Sequence, residues 1–317
     1  MTEYKLESYL NALCMEHPQY EDLQATWTLN KRTCSDILKG ILIQYPHFSM
    51  HDASHAEAVI AKMEMILGER IFRLSPTDVW LLLHTAYAHD LGMVILWEEI
   101  TKLWNQPEFQ DFLNALDLSL DSELREAAEF VKKKSNDVTN ISAWPLTAYR
   151  CVNLINAAYF RGQHAEMSQK YVQTPKMNLG LDLGHNGLIQ PRLIKLLGEI
   201  CELHMEPSKK ILSLDYQTNG FGSDYVHPRF IAVLLRLGDL LDVDNGRFNT
   251  TVEFSIGGLP KSSIVHKEKH EATTHLLVTP RKIEFRSDCP DLQAYLEARN
   301  FIKQLEDELN FMVIPLR

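Results

Sequence analysis

Apolar residues recur every three or four positions through most of the first 245 residues, which is the spacing of amphipathic helices. Ser54–Leu67 follows this spacing. Ser75-Pro76-Thr77-Asp78 predicts a helix start, because Ser75 can cap, Pro76 suits the first turn and Asp78 favours the positive end of the helix dipole. The segment that follows, Val79–Asp90, is apolar nearly all round, which predicts a central, buried helix.

Other segments complete a predicted helical body. Residues 1–45 predict two or three amphipathic helices that brace it, Pro191 opens another helix, and Phe230–Leu241 forms one that is apolar except for Arg236 and Asp239. The stretch 105–145 is more charged and is interpreted as a solvated insertion.

The pattern changes after about residue 248. Thr250–Ile256 alternates like a strand, His275–Thr279 and Lys282–Arg286 predict a hairpin, and Leu292–Leu309 predicts a last amphipathic helix. We therefore expect a mainly α protein, with a helical domain over 1–247 and a small α+β appendage over 248–317. The apolar ending, 311–317, is typical of a fragment of a longer protein or of a docked terminus.

Composition narrows the functional classes. A net charge of -10 over 317 residues argues against a protein that coats nucleic acid, although bound metal ions would still attract a small anionic substrate. The five cysteines are scattered without a CxxC pair, which favours free thiols in a reducing compartment. A signal-peptide pattern and an apolar run of about 18 residues are both lacking, so we expect a cytoplasmic protein that does not enter membranes.

The candidate chemistry centres on His89-Asp90, at the end of the most buried predicted helix. Burying such a pair without a partner is costly, and a shared metal ion would remove the cost for both. His55 begins a helix and His164 and His204 follow, while Asp239 lies inside an apolar helix. An ion pair between Asp239 and Arg236 is the alternative for that carboxylate. The order of these residues, H…HD…H…H…D, favours a metal site.

This order resembles the HD superfamily of metal-dependent phosphohydrolases over roughly residues 45–247. The segments 51–55 (HDASH), 89–93 (HDLGM) and 236–244 (RLGDLLDVD) look like a bacterial subgroup whose HD domain is often followed by a GHKL-type ATPase domain. The resemblance implies an HD-type helical bundle. It also implies hydrolysis of phosphate esters or anhydrides, often of nucleotides.

Residue by residue, the resemblance assigns His55, His89, Asp90 and Asp239 to a first metal ion, and His164 and His204 to a second, with Asp90 as the bridge. One or two divalent ions are expected; imidazole and carboxylate ligands suit Mn, Fe, Zn, Co or Ni, and Mg less well. The superfamily often carries a lysine where this chain has Met93, which weakens any link to cyclic-dinucleotide hydrolases.

Further roles are assigned by residue type. Asp90, His51 and Arg161 are the candidate catalytic residues, with His51 as a proton relay or substrate contact. Arginines match phosphate geometry, so the candidate substrate ligands are Arg161, Arg236 and Arg247. Acidic residues that could orient the metal ligands from behind are Asp52, Asp242 and Asp244. Ordinary ion pairs are the alternative for each.

The leading hypothesis is a phosphohydrolase that cleaves a nucleotide or a short nucleic acid with a metal-activated water, as a nucleotidase, phosphodiesterase or nuclease. The alternative is a non-catalytic metal- or nucleotide-sensing module that acts on a downstream ATPase domain or partner; self-association stays open.

His51–His55 superficially resembles the HExxH of zinc proteases but has Asp for Glu. Seven histidines are interpreted as surface or packing residues: His17, His47, His84, His185, His227, His266 and His275. Lys261, Lys267, Lys269 and His270 are interpreted as a solvated hairpin edge, with an anion-binding patch as the alternative.

Overall fold

The computed structural model describes residues 4–47, 49, 51–133, 144–243, 248 and 250–312. The helices are α1 (Lys5–Glu16), α2 (Glu21–Gln44), α3 (Ala53–Leu67), α4 (Pro76–Ala88), α5 (Trp97–Leu103), α6 (Pro107–Ala115), α7 (Ser122–Lys132), α8 (Trp144–Arg161), α9 (His164–Gln173), α10 (Pro191–Leu203), α11 (Pro228–Leu240), α12 (Thr250–Ser255), α13 (Lys261–Ala272) and α14 (Leu292–Met312). Two antiparallel pairs of strands accompany them: β1 (Thr218–Asn219) with β2 (Tyr225–Val226), and β3 (Thr273–Val278) with β4 (Ile283–Ser287). The protein is a mainly α bundle, as expected.

Helix α4 runs through the centre of the bundle, and every one of its residues is buried. It begins as the sequence predicts, with the Ser75 side chain accepting a hydrogen bond from the backbone N–H of Asp78 at 3.0 Å and Pro76 in the first turn. Helices α1 and α2, which form the predicted brace, pack against it. Trp80 on α4 donates its indole N–H to the Thr26 hydroxyl on α2 at 3.1 Å.

Two glycines allow helices to approach closely at the position where the site forms. A Cβ on Gly92 would lie 2.2 Å from the carbonyl oxygen of His164, and one on Gly238 would lie 3.0 Å from the carbonyl oxygen of Val59. The first contact presses the turn after α4 against α9, and the second presses α11 against α3. Ser168 ties the first contact together, since it accepts from the Gly92 N–H at 2.8 Å and donates to the His89 carbonyl at 2.5 Å.

Two predicted regions differ from expectation. Thr250–Ile256 was predicted as a strand, but Thr250–Ser255 is helix α12, whose hydrogen bonds close locally, as from Ile256 N–H to the Val252 carbonyl at 3.1 Å. Alternation over so few residues cannot separate a strand from one helical turn and a half. The predicted insertion, as far as it is described, contains α6 and α7. These helices pack with α8 around a small apolar cluster of their own: Phe109, Leu113, Leu116, Ala127, Ala128, Cys151 and Ile155.

The predicted hairpin and final helix are confirmed as β3, β4 and α14. Val278, Phe301 and Leu305 from this part belong to the same buried cluster as the central helices. The proposed domain boundary at 247 stays a prediction, and residues 244–247 and 313–317 lie outside the described residues. In the described part of the chain, no individual helix is long and apolar enough to cross a bilayer; the segments Pro76–Met93 and Trp97–Leu103 meet those criteria only as a pair bent by 45°.

Candidate metal centre

The first group of candidate ligands joins three helices of the central bundle. His55 lies in the first turn of α3, His89 follows the last residue of α4, and Asp239 lies near the end of α11. The His55 Nε2 atom is 3.3 Å from His89 Nε2 and 3.2 Å from Asp239 Oδ1. Both imidazoles are buried, while the Asp239 side chain keeps about a third of its surface exposed.

The second group lies beside the first. His164 begins α9 and His204 follows α10, and their Nε2 atoms are 3.1 Å apart. Asp90 completes the group, with its Oδ1 atom 3.5 Å from His164 Nε2. All three side chains are buried.

Asp90 belongs to both groups because its two carboxylate oxygens face different histidines. Oδ1 faces His164, while Oδ2 lies 3.3 Å from His89 Nε2 and 3.6 Å from His55 Nε2. A carboxylate in this position can bridge two ions, as the resemblance implied for Asp90. The six predicted ligands therefore converge in one place.

The four imidazoles share one hydrogen-bonding arrangement. Nδ1 of His89, His164 and His204 faces the backbone carbonyl three residues earlier, that of Ala86, Arg161 and Cys201, respectively. Nδ1 of His55 faces Asp242 Oδ2 at 2.7 Å. Carbonyls and carboxylates only accept, so each Nδ1 carries a proton, and Nε2 is the ring atom that faces the cluster, where it can bind a cation once it carries no proton of its own.

This donor set fits divalent metal ions. Lone pairs of neighbouring Nε2 and carboxylate atoms would repel one another at 3.1–3.6 Å unless a cation lay between them. Ligand atoms that bind one ion at about 2.1 Å stand roughly 3.0–3.5 Å from one another, which matches these distances. Imidazole nitrogen with carboxylate oxygen suits the transition-metal series, and no thiol takes part in either group of described residues.

The histidines of the cluster differ in the direction in which their surroundings shift the pKa. Burial alone would lower the pKa of His89, but the carboxylates of Asp90 and Asp239 outweigh it and raise the pKa to about 9. Burial lowers the pKa of His204 to about 3, and the neighbouring His89 and His164 add to the effect. Although burial opposes it, the adjacent imidazoles hold the pKa of the Asp90 carboxyl well below its usual range.

The three acidic residues expected to orient the metal ligands are Asp52, Asp242 and Asp244, and they do not share one role. Asp242 is buried and holds the His55 ring through Nδ1, as a residue that orients a ligand should. Asp52 caps α3 instead, accepting from the backbone N–H of Ser54 at 2.9 Å. Asp244 lies outside the described residues, as does Arg247.

The two candidate arginines within the described residues, Arg161 and Arg236, have different surroundings. Arg161 lines the cavity at the metal centre. Arg236 is not among the residues that line this cavity, and its ion pair is with Glu308 rather than with Asp239. Its guanidinium donates to the carbonyls of Leu203, His204 and Glu206 and pairs with Glu308. Arg236 therefore fixes the end of α10, and with it the position of His204, rather than facing substrate.

The two groups open onto a cavity of about 250 Å³. His51 lines it, with Nδ1 2.6 Å from the Ser49 carbonyl, and Met93 lines it at the position where the superfamily often has lysine. The cavity is also lined by residues that the sequence interpretation assigned to packing or to a solvated edge: His47, His266, Lys269 and His270.

The interpretation of His270 as part of a solvated edge is wrong, since the residue is buried on α13 and its Nε2 lies 3.3 Å from His266 Nε2. The signal available in the sequence was spacing. His266, Lys269 and His270 stand three and four positions apart, as side chains on one helical face do.

Comparison with known proteins agrees with the site. The HD-CE family model matches residues 45–310, which is most of the chain. The protein therefore belongs to the HD-CE family and carries an HD-like domain with buried His/Asp groups that fit divalent metal ions. Neither the curated proteins nor the solved structures contain a match to this chain. The downstream ATPase domain implied by the resemblance stays a prediction.

Proposed function

We propose that this protein is a metal-dependent phosphohydrolase that cleaves a phosphoester or phosphoanhydride of a nucleotide or nucleic acid. The observation that carries the proposal is the pair of ligand groups joined by Asp90 and opening onto one cavity. Two bound ions at such a centre would activate water and neutralise the charge that develops on the phosphoryl oxygens. Isolated structural sites are usually closed, whereas this centre is accessible.

The chain's own residues supply a cationic wall that suits a phosphate. Arg161 and Lys269 line the cavity as its cationic side chains, and His51 and His266 line it as well. The guanidinium of Arg161 can donate paired hydrogen bonds to phosphoryl oxygens. The cavity carboxylates are Asp90, Asp239 and Asp242, which lie on the metal side. Phosphate is therefore favoured where Arg161 and Lys269 line the cavity.

His51 is suited to hold a proton near the reacting atoms. Because the Ser49 carbonyl accepts from Nδ1, the neutral ring presents its Nε2 as an acceptor, and the ring lies 5.2 Å from that of His55. Met93, in contrast, adds only an apolar wall beside Asp90. The reaction therefore proceeds without the lysine that other branches of the superfamily carry there.

The test is metal analysis followed by turnover. The purified protein is analysed for bound metal, and nucleotides and single-stranded DNA and RNA are screened with added Mn. Product that forms with the wild-type chain and His17→Ala, an exposed matched control, but not with His89→Ala or Asp90→Ala, would support the proposal. Bound metal without turnover of any substrate would instead favour the sensing module, for which Met93 is the supporting observation.

Other expectations stay proposals. Mn, Fe, Zn, Co and Ni are the candidate ions, and a bacterial, cytoplasmic setting follows from the resemblance and the free cysteines. The described cysteines, Cys14, Cys34, Cys151, Cys201 and Cys289, all have free thiols. A nucleotide or short nucleic acid and a downstream ATPase are the proposed partners, and self-association stays open.

A further inference from the structure

A second cavity, of about 790 Å³, lies next to the metal cavity, and His47 lines both. Its size is within the range of pockets that hold small organic ligands. The lining is largely apolar and aromatic, contributed by Leu146 and Tyr149 on α8 and Phe254 on α12. These side chains are unusually exposed for their type, at 74%, 56% and 84%. A surface of this kind offers rings for stacking while little protein covers them.

Cationic residues connect the two cavities along one face of α8. Arg150 lines the second cavity and Arg161 lines the metal cavity. Because they are eleven residues apart, they project from nearly the same face, with their Cα atoms about 16 Å apart along the helix axis. His47 lines both cavities, and after burial these two arginines are the main causes that lower its pKa to about 4.

A ligand that occupies both cavities must combine two chemistries. Its anionic end would lie against Arg161 and the metal groups, and its uncharged end would lie against exposed aromatic rings. Inorganic phosphate is too short to reach both, given the separation of the arginines. A nucleotide meets both requirements, since base–aromatic stacking tolerates any base and the phosphate is the anionic end.

We propose that the second cavity binds the base of a nucleotide substrate by stacking on Phe254 and Tyr149, while the phosphate passes His47 to reach the metal centre. The inference deepens the proposed function and rests on it for the identity of the reacting phosphate. Arg150, whose guanidinium is 3.7 Å from Glu123, lies at the edge of the stacking surface. It can contact either the base face or a phosphate that follows it.

Binding measured without turnover tests the inference. The four ribonucleoside 5′-monophosphates and ribose 5-phosphate are titrated into the protein in EDTA by calorimetry, so that neither metal nor hydrolysis contributes. We expect at least one nucleotide to bind about tenfold or more tightly than ribose 5-phosphate, as one stacked base provides. Phe254→Ala should remove that difference and leave ribose 5-phosphate unchanged, and Phe254→Trp should restore it.

Trp97→Ala is the matched control, since Trp97 is 77% exposed and lies outside both cavities. Phe254 is 84% exposed, so its replacement puts folding at little risk. The inference would be overturned if no nucleotide bound at millimolar concentration, or if Phe254→Ala weakened both ligands equally. It would also be overturned if affinity rose with each nucleotide added to a strand, because a groove rather than a base pocket would then be present.

The outcomes separate this inference from the proposed function. Nucleotide binding that depends on Phe254, in a protein that hydrolyses nothing, would keep the base site and reject the hydrolase. Turnover of ribose 5-phosphate as fast as of any nucleotide, without an effect of Phe254→Ala, would keep the hydrolase and reject the base site.

Discussion

Two histidine clusters in this protein each include a buried ring whose Nδ1 faces a backbone carbonyl, and they differ at Nε2. In the first cluster, inside the bundle, His84 faces the Trp80 carbonyl through Nδ1 at 2.8 Å and accepts from the Asn30 side-chain amide at Nε2, 3.0 Å away. The amide oxygen of Asn30 in turn accepts from His185 Nε2 at 2.9 Å. Every ring nitrogen named here meets a complementary protein group, so this cluster is complete as it stands.

The metal centre begins in the same way and ends differently. Its four Nδ1 atoms also face carbonyl or carboxylate oxygens, but its Nε2 atoms face one another and carboxylates. Burial lowers the pKa of His84 to about 3, whereas the carboxylates beside His89 raise its pKa to about 9 despite burial. The partner of Nε2 thus distinguishes a packing histidine from a metal ligand, and burial alone does not.

The largest effect is expected at Asp90, the residue that both ligand groups share. Asp90→Asn keeps the shape but removes the charge that holds two cations together, so both ions should be lost and hydrolysis should fall by about a thousandfold or more. Metal content by elemental analysis and kcat/KM with the best substrate from the screen measure this. Asp36→Asn, on an exposed residue, is the control. Undiminished metal content in Asp90→Asn would remove the distinction between the two clusters.

The second test replaces one histidine from each cluster. His204→Ala should release one ion, keep the other at His55, His89 and Asp239, and lower the rate about a hundredfold. His185→Ala should retain both ions, because its Nε2 is satisfied by Asn30. The measurement is moles of metal per mole of protein together with kcat. Equal metal loss in the two variants would show that the Nε2 criterion fails.

The sequence singled out the candidate ligands because each of them is a polar residue at a position where an apolar one fits the helical pattern. His89, Asp90 and Asp239 stand out in this way on helices whose periodicity is clear, and a buried charge needs a partner wherever it falls. The order of the ligands and the family resemblance then placed them together. The helical architecture was predictable for the same reason, since long periodic segments are the strongest signal.

The cationic wall and the role of Arg236 were not predictable in this way, because they depend on contacts between segments that are distant in the sequence. Lys269 and His270 reach the cavity only because α13 packs with α14, which in turn contacts α11, and the local sequence does not state which surface α13 covers. Arg236 finds Glu308, 72 residues later, rather than Asp239 on its own helix. Spacing along one helix identifies possible partners for an ion pair, but tertiary packing determines which partner lies within reach.

A smaller effect on metal affinity is expected from Asp242, which holds the ring of the candidate ligand His55. Asp242→Asn keeps an oxygen that can accept from the His55 ring but removes the negative charge that polarises it, which typically costs about 10–100-fold in metal affinity. Competition with a metal-sensitive chelator measures the change for the ion at His55. Asp52→Asn, at the cap of α3, is the matched control, and its affinity for metal should stay near that of the wild type. If Asp52→Asn weakened metal binding as strongly as Asp242→Asn, helix placement rather than ring orientation would be the cause.

The smallest expected effect is on the free energy of unfolding, and it arises from His84 in the cluster with Asn30 and His185. Burial lowers the pKa of His84 to about 3 in the folded protein, against an ordinary value near 6.5, so the unfolded chain binds the extra proton first as the pH falls. The stabilisation is fully present above about pH 6.5 and is lost as pH falls toward 3. Between pH 7 and pH 5 this one group should cost about 2 kcal/mol of unfolding free energy.

Urea unfolding in EDTA at the two pH values measures this loss without any contribution from bound metal. His84→Gln removes the titrating group, so its unfolding free energy should fall less between pH 7 and pH 5 than that of the wild type, whatever its stability at pH 7. A variant with an unchanged pH dependence would mean that His84 is not held neutral by its surroundings. The comparison between the two histidine clusters would then rest on the metal centre alone, because the satisfied ring would behave no differently from an exposed one.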